Sequence, residues 1–314
     1  MRFPGFIDIC TAIPTGGWRR TTTQALRSGY STLISAAPQE ESLCLSREDL
    51  RNSYTEPEKD ASCDYAKLPL ITPENVHTIE EWAEEVPGAF LDMNAMSGIG
   101  SFSQMNMLSR LFNRWPEEKP ICVRGNENQI GSAVFMAQVH NKKVHVNNVT
   151  SRPVIEMIHE VKETGTQVTC DVTPLALVLS NSQPQAALIL RQPGSEEDRR
   201  ALWDHIQDID CFSTYGVLRG PGADQDPFSA ILPILLTMLK SEMLTAEDIV
   251  RKCCLNGAKL FGIKPNLSNY VEVNENNTGM RGPLVKQVSF HGRILNPEEG
   301  FPLTAQTQGT RILV

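Results

Sequence analysis

The chain has 314 residues, 40% of them hydrophobic and 21% charged, enough for a large core; at roughly 150 residues per domain the count would be two, although an α/β barrel would use nearly the whole chain as one. The formal net charge of −8, from 29 basic and 37 acidic residues, argues against a nucleic-acid or anionic-membrane surface, since binding to phosphates depends on lysines and arginines that release counterions. No apolar run approaches the ~20 residues of a membrane span, and the eight cysteines are scattered with no C-x-x-C pair, which implies a reduced, cytoplasmic protein.

In chain order, the opening Met1-Arg2-Phe3-Pro4-Gly5-Phe6-Ile7-Asp8 carries a proline early and an aspartate where a signal peptide would be apolar, so no secretory leader is expected. Eight β-rich runs follow at residues 5–12, 30–36, 64–70, 89–93, 120–124, 144–148, 168–172 and 209–214. Several are apolar on both faces, as parallel strands covered by helices are. Helical periodicity fills the gaps at 104–115, 129–140, 154–164 and 196–207, the last opened by a Ser195-x-x-Asp198 capping box. The apolar run 230–239 reads as a buried helix interrupted by Pro233, and a further helix opens at Thr245-x-x-Asp248 and should stop at Asn256-Gly257. Residues 38–60 read as a polar connector with a helical centre at 46–52, 80–85 as a solvated acidic helix face, and 219–226 as a Gly/Pro-rich loop. This alternation predicts a (β/α)8 barrel over residues 1–263. Residues 264–314 form an irregular C-terminal extension, with strand-like patches at 270–273 and 285–295, packed outside the barrel.

The strand ends carry a resemblance. Pro4-Gly5-Phe6-Ile7-Asp8-Ile9-Cys10-Thr11-Ala12 resembles the first strand of dihydroorotase and its cyclic-amidohydrolase relatives, where P-G-[LF]-I-D precedes His-x-His. Residues 88–94 are similar to the family's strand with a carbamylated lysine. Pro120-Ile121-Cys122-Val123-Arg124 and Val144-His145-Val146-Asn147-Asn148-Val149 are similar to two strands that each end in a metal-binding histidine. Val168-Thr169-Cys170-Asp171-Val172-Thr173-Pro174, Ala201-Leu202-Trp203 and Ile209-Asp210-Cys211-Phe212-Ser213 resemble the dihydroorotase domain of eukaryotic pyrimidine-synthesis polyproteins. The likeness spans roughly residues 4–295, and it implies an amidohydrolase barrel.

The resemblance also locates the family's metal ligands, and this sequence departs from the pattern at each of them. The paired histidines fall on Cys10 and Ala12, the bridging lysine on Phe90, the two later histidines on Arg124 and Asn148, and the aspartate on Tyr215, with Gly216 after it. A phenylalanine cannot carry a carbamate, and an arginine has no lone pair to give. A catalytic zinc normally takes three protein ligands, so zinc is expected to be absent. The substrate-clamping arginine falls on Pro14. Asn94 matches a substrate-contacting position, and Arg219 replaces a further histidine; with Arg124, Asn148 and Tyr215 these could form a residual anion pocket.

Plainer readings compete at each position. Cys10, Cys253 and Cys254 are expected to pack as small hydrophobes, Arg124 and Tyr215 to fill the vacated volume and hydrogen-bond each other, and His145 and His159 to be structural. Asp171 shows no evident partner in the sequence. The expectation is therefore an inactive dihydroorotase-like domain with an architectural role. By resemblance it would join carbamoyl phosphate synthetase to aspartate transcarbamoylase in a fungal-type polyprotein and form a homodimer. It would begin directly at the first barrel strand. The alternatives are an anion-sensing barrel and a metal-independent amidohydrolase with a rebuilt site.

Overall fold

The structure is a computed structural model that describes residues 1–36, 44–96, 101–215, 226–274, 284–296 and 308–312. The chain opens with β1 (Arg2–Pro4) and β2 (Phe6–Ala12), then α1 (Trp18–Arg27), β3 (Tyr30–Ala36), α2 (Arg47–Ser53), α3 (Thr55–Asp60) and β4 (Asp64–Leu68). Alternation continues through β5 (Ala89–Asp92), α4 (Ser101–Arg114), β6 (Ile121–Arg124), α5 (Glu127–His140), β7 (Val144–Val146), α6 (Arg152–Glu163) and β8 (Val168–Val172). There follow α7 (Ala186–Ile189), α8 (Glu196–Asp204), β9 (Cys211–Phe212), α9 (Pro227–Lys240), α10 (Ala246–Val250), a π-helical turn (Arg251–Leu255) and α11 (Asn256–Leu260). Three strands close the chain: β10 (Tyr270–Val273), β11 (Val285–Phe290) and β12 (Arg293–Leu295).

Strands β2 to β9 are the eight runs expected from the sequence, and every ladder among them is parallel. They form an arc of three (β2-β3-β4) and an arc of five (β5 to β9). A parallel bridge between Leu70 and Phe90 joins the arcs, through Ile71 N–H to Phe90 O at 2.7 Å and Phe90 N–H to Pro69 O at 2.9 Å. Among the described residues no ladder joins β9 back to β2. At that seam the run from the π turn through α11 packs against β2 and the π turn packs against β9.

Side chains alternate across the sheet as a period of two requires. Leu91, Val123, Val146 and Phe212 share the main core with Leu108, Leu111, Ile130, Val134 and Ile155 of the covering helices. Phe90, Cys122 and Cys211 turn the other way and join Ile7, Ile9, Ile34, Leu68 and Phe261 in a second cluster; this is called the inner face below.

Capping boxes start the helices where the sequence signals them: Ser195 with Asp198, Thr245 with Asp248, and also Asn126 with Gln129. The expected stop at Asn256-Gly257 is corrected. Gly257 lies inside α11 and faces β2, where a Cβ would stand in ordinary van der Waals contact, 3.4 Å from Ile9 Cγ2. The left-handed glycine that ends the run is Gly262, at φ 67°. The acidic face expected at 80–85 is two short 3₁₀ turns around the buried Trp82, which packs edge-on against Trp115.

The C-terminal strands lie outside the parallel sheet, in an antiparallel sheet of order β1-β10-β11-β12. The expectation that the chain begins directly at the first barrel strand is thereby corrected, since Arg2–Pro4 pair with Tyr270–Glu272. Gly29, at φ 91°, carries Val271 where its own Cβ would stand, 2.8 Å from that side chain, which fixes β10 against the α1–β3 turn. A parallel bridge from Tyr65 to Arg311 ties residues 308–312 to β4. Among the described residues no helix is long and apolar enough to cross a membrane.

Candidate functional site

Cys10, Ala12, Phe90 and Tyr215 meet in the inner cluster and Arg124 joins them through Tyr215, while Asn148 follows the end of β7 beside a separate cavity. Cys10 is fully buried and adopts φ 56°, a conformation costing an L-residue roughly 1–2 kcal/mol. The β2–β3 register shifts between Asp8 and Thr11, and this irregularity lets Ile9 and Cys10 both join the inner cluster. The thiol shares a hydrogen bond with Cys122; burial first, then that neighbour, push its pKa well above the ordinary range. Ala12 ends β2, half-buried against the same cluster.

Phe90 fills the inner face of β5, with its ring centroid 5.9 Å from that of Tyr215. Arg124, at the end of β6, donates from Nη1 to the Tyr215 hydroxyl at 3.0 Å and to Asp92 Oδ2 at 3.3 Å. Its guanidinium lies 5.4 Å from the Tyr215 ring centroid, and that of Arg191 lies 5.9 Å away. Burial raises the Tyr215 phenol pKa while Arg124 pulls it the other way. Arg124 and Tyr215 thus hydrogen-bond each other, as the sequence suggests. Asp92, the counter-charge, has no signal in the sequence beyond its place two residues after Phe90.

Asn94 is half-buried, and its backbone N–H donates to Asp92 Oδ1. Asn148 adopts φ 58°, and its side-chain oxygen is buried without a partner among the described residues. Arg219 and Gly216 lie outside the described residues. A surface cavity of about 390 Å³ opens beside Asn148, lined also by Gly125, Asn126, Thr150 and Gln192. Neither Cys10 nor Phe90 lines it.

Two buried carboxylates hold the strand ends together. Asp171 is not partnerless, as its sequence context suggested. It accepts from His145 Nε2 at 2.9 Å, Asn147 Nδ2 at 2.7 Å, the Asn148 backbone N–H at 3.2 Å and the Ser213 hydroxyl. His145, whose other ring nitrogen meets Thr169 Oγ1 at 2.8 Å, is a structural member of this network. Asp8 accepts from the Thr214 N–H at 2.8 Å and from the hydroxyls of Thr11 and Thr214 at 2.6 Å each. It therefore crosses the seam between β2 and the chain after β9. Burial raises its pKa to about 6, against the pull of these donors, and Asp171 adds to the rise. Side chains saturated by donors in this way are held as structural acceptors.

The two-ion centre implied by the resemblance calls for several imidazoles and a bridging carbamate. The positions here offer a buried thiol, a methyl, a phenyl ring, a guanidinium, an amide and a phenol; of the carboxylates close by, Asp92 is engaged by Arg124 and Asp8 and Asp171 by the donors named above. This donor set does not fit the group.

No family model matches the chain. "Multifunctional protein pyrABCN" of Emericella nidulans is 28% identical over 281 residues, covering 86% of this chain and 12% of that protein. A solved structure, the "inactive dihydroorotase-like domain of Chaetomium thermophilum CAD-like multifunctional protein", superposes with a TM-score of 0.87 at 24% identity and covers 99% of both chains. The chain is homologous to the dihydroorotase-like region of CAD-type multifunctional pyrimidine proteins. It spans about an eighth of the length of the multifunctional relative. A dihydroorotase of Pyrococcus horikoshii is 28% identical over 49% of the chain, so the homology extends to a relative whose name is that of the hydrolase. The architecture is α/β with parallel sheets, as in amidohydrolase barrels.

Proposed function

We propose that this chain is a dihydroorotase-like domain that has lost the two-metal centre and, with it, hydrolase activity. Its role is architectural, joining carbamoyl phosphate synthetase to aspartate transcarbamoylase within one cytoplasmic polypeptide of de novo pyrimidine synthesis. In this reading the eight parallel strands act as one closed (β/α)8 barrel over residues 1–263, with 264–314 as an extension, and a second copy completes a homodimer.

The observation that carries the reading is Arg124, hydrogen-bonded to Tyr215 and Asp92 at a position where the resemblance calls for a metal-binding histidine. A guanidinium about 4 Å from a divalent ion would oppose it by roughly 8 kcal/mol at an effective dielectric of 20. No imidazole stands at the other aligned positions to offset that. The pairing of Arg124 with Asp92 also weighs against an anion-sensing role, since the cation is already neutralised. The domain's likeness to an inactive counterpart of known structure supports the same conclusion.

The test is turnover with zinc supplied, in both directions: ring opening of dihydroorotate and cyclisation of carbamoyl aspartate. Neither should exceed background, and zinc-soaked crystals should show no anomalous peak among Cys10, Phe90, Arg124 and Tyr215. Turnover abolished by Tyr215→Phe, or a pair of ions at the strand ends, overturns the reading. Analytical ultracentrifugation showing only monomer at tens of micromolar removes the homodimer.

A further inference from the structure

We propose that His159, His205 and Asp208 form a divalent metal site of the zinc class on the outer helical face, joining α6 to the turn after α8. His159 lies on α6, His205 caps the C-terminus of α8, and Asp208 follows in the same turn. The two helices pack against each other. His159 Nδ1 stands 2.9 Å and His205 Nδ1 3.2 Å from one oxygen, Asp208 Oδ2. The ring centroids are 4.9 Å apart, and one ligand atom from each of the three side chains falls within 4.8 Å of the others.

These spacings match what an ion requires. Bonds of about 2.0–2.1 Å in tetrahedral geometry place ligand atoms roughly 3.3 Å apart, so the two nitrogen–oxygen edges are already near that value. Two imidazoles and one carboxylate are a donor set for zinc and similar transition ions, whereas magnesium and calcium favour oxygen.

The ligands are held from behind. The Asp208 backbone N–H donates to His205 O at 2.9 Å, its carbonyl accepts from Lys162 Nζ at 2.6 Å, and it also accepts from the Cys170 thiol. Lys162, the nearby cation, is itself paired with Asp210 at 2.8 Å. The His159 side chain is 46% exposed and those of His205 and Asp208 are 22% and 20% exposed. An ion can therefore enter from solvent and take water as its remaining ligand. An ion held through the two Nδ1 atoms takes their lone pairs, so each neutral imidazole that ligates it carries its proton on Nε2.

This site shares no residue with the strand ends, so it stands or falls apart from the proposed function. The test is calorimetric titration of zinc chloride into the untagged full chain, with X-ray absorption on the zinc complex. One equivalent should bind, with two imidazoles and no sulfur in the first shell. His159→Ala and His205→Ala should each weaken binding at least about tenfold, and His140→Ala should leave it unchanged. Absence of binding, binding indifferent to both substitutions, or binding lost on Cys10→Ser overturns the proposal; the last outcome would place the ion in the barrel and overturn the pseudoenzyme reading as well.

Discussion

The pairing of Arg124 with Asp92 can be weighed by a double-mutant cycle. The side chains are 18% and 9% exposed, 3.3 Å apart, so each charge is largely removed from water. Breaking a buried pair by deleting one partner costs about 3–5 kcal/mol; with the remaining exposure at the strand ends, about 2–3 kcal/mol is expected for the charge alone. Arg124→Met also removes the hydrogen bond to the Tyr215 hydroxyl, about 1 kcal/mol, and the guanidinium over its ring, a further ~0.5–1 kcal/mol. The total is about 4 kcal/mol. Asp92→Asn keeps an acceptor for Arg124 but strands the cation, for about 2 kcal/mol. The double variant leaves no unpaired charge, so its destabilisation should fall short of the sum by about 2 kcal/mol. Urea denaturation at pH 7 with linear extrapolation reads all four corners of the cycle. Additivity to within about 0.5 kcal/mol would refute the claim that the two groups neutralise each other.

The contribution of Asp8 to stability should rise as pH falls from about 7 to about 4, because its pKa of about 6 lies above its unfolded value and the native state takes up the proton first. That contribution is fully present below the unfolded pKa, is lost as pH rises through about 6, and is on the order of 3 kcal/mol for about two pH units. Asp8→Asn retains an oxygen for the Thr214 N–H and should flatten this component of the pH profile; an unchanged slope in the variant counts against the assignment. All eight cysteines are free and buried, and burial raises the pKa of Cys10, Cys63, Cys170 and Cys211. An aromatic disulfide reagent at pH 8 should therefore modify almost none of them in minutes in the native chain and all eight in denaturant; rapid loss of the Cys10 thiol would show that the strand-end region is open to solvent.

The parallel strands were legible because each is short, apolar on both sides and bounded by turn residues, and the caps at Ser195 and Thr245 announce themselves by spacing. Tyr215 and Arg124 were legible as mutual partners because both replace ligands of one former site. What stayed hidden depends on distant sequence. Arg2–Pro4 carry no mark that assigns them to the antiparallel sheet. Gly257 resembles a helix stop, but the chain stays helical through it and turns left-handed only at Gly262. Asp8 and Asp171 stand in β-rich runs as lone acids, and only the fold brings Thr214, His145 and Asn147 to them. A signal was available in principle: a charged residue inside a fully apolar strand needs buried partners. His159 and Asp208 are 49 residues apart, and no spacing rule links them.

The pairing of β1 with β10 has a consequence for biosynthesis. Arg2 and Glu272, partners across 270 residues, leave the ribosome at very different times. At about 5–20 residues per second the first strand waits some tens of seconds for its neighbour. The parallel arcs can gather while translation proceeds, but the antiparallel layer forms last, and a nascent chain stalled before Tyr270 would present Arg2–Pro4 as an uncovered edge.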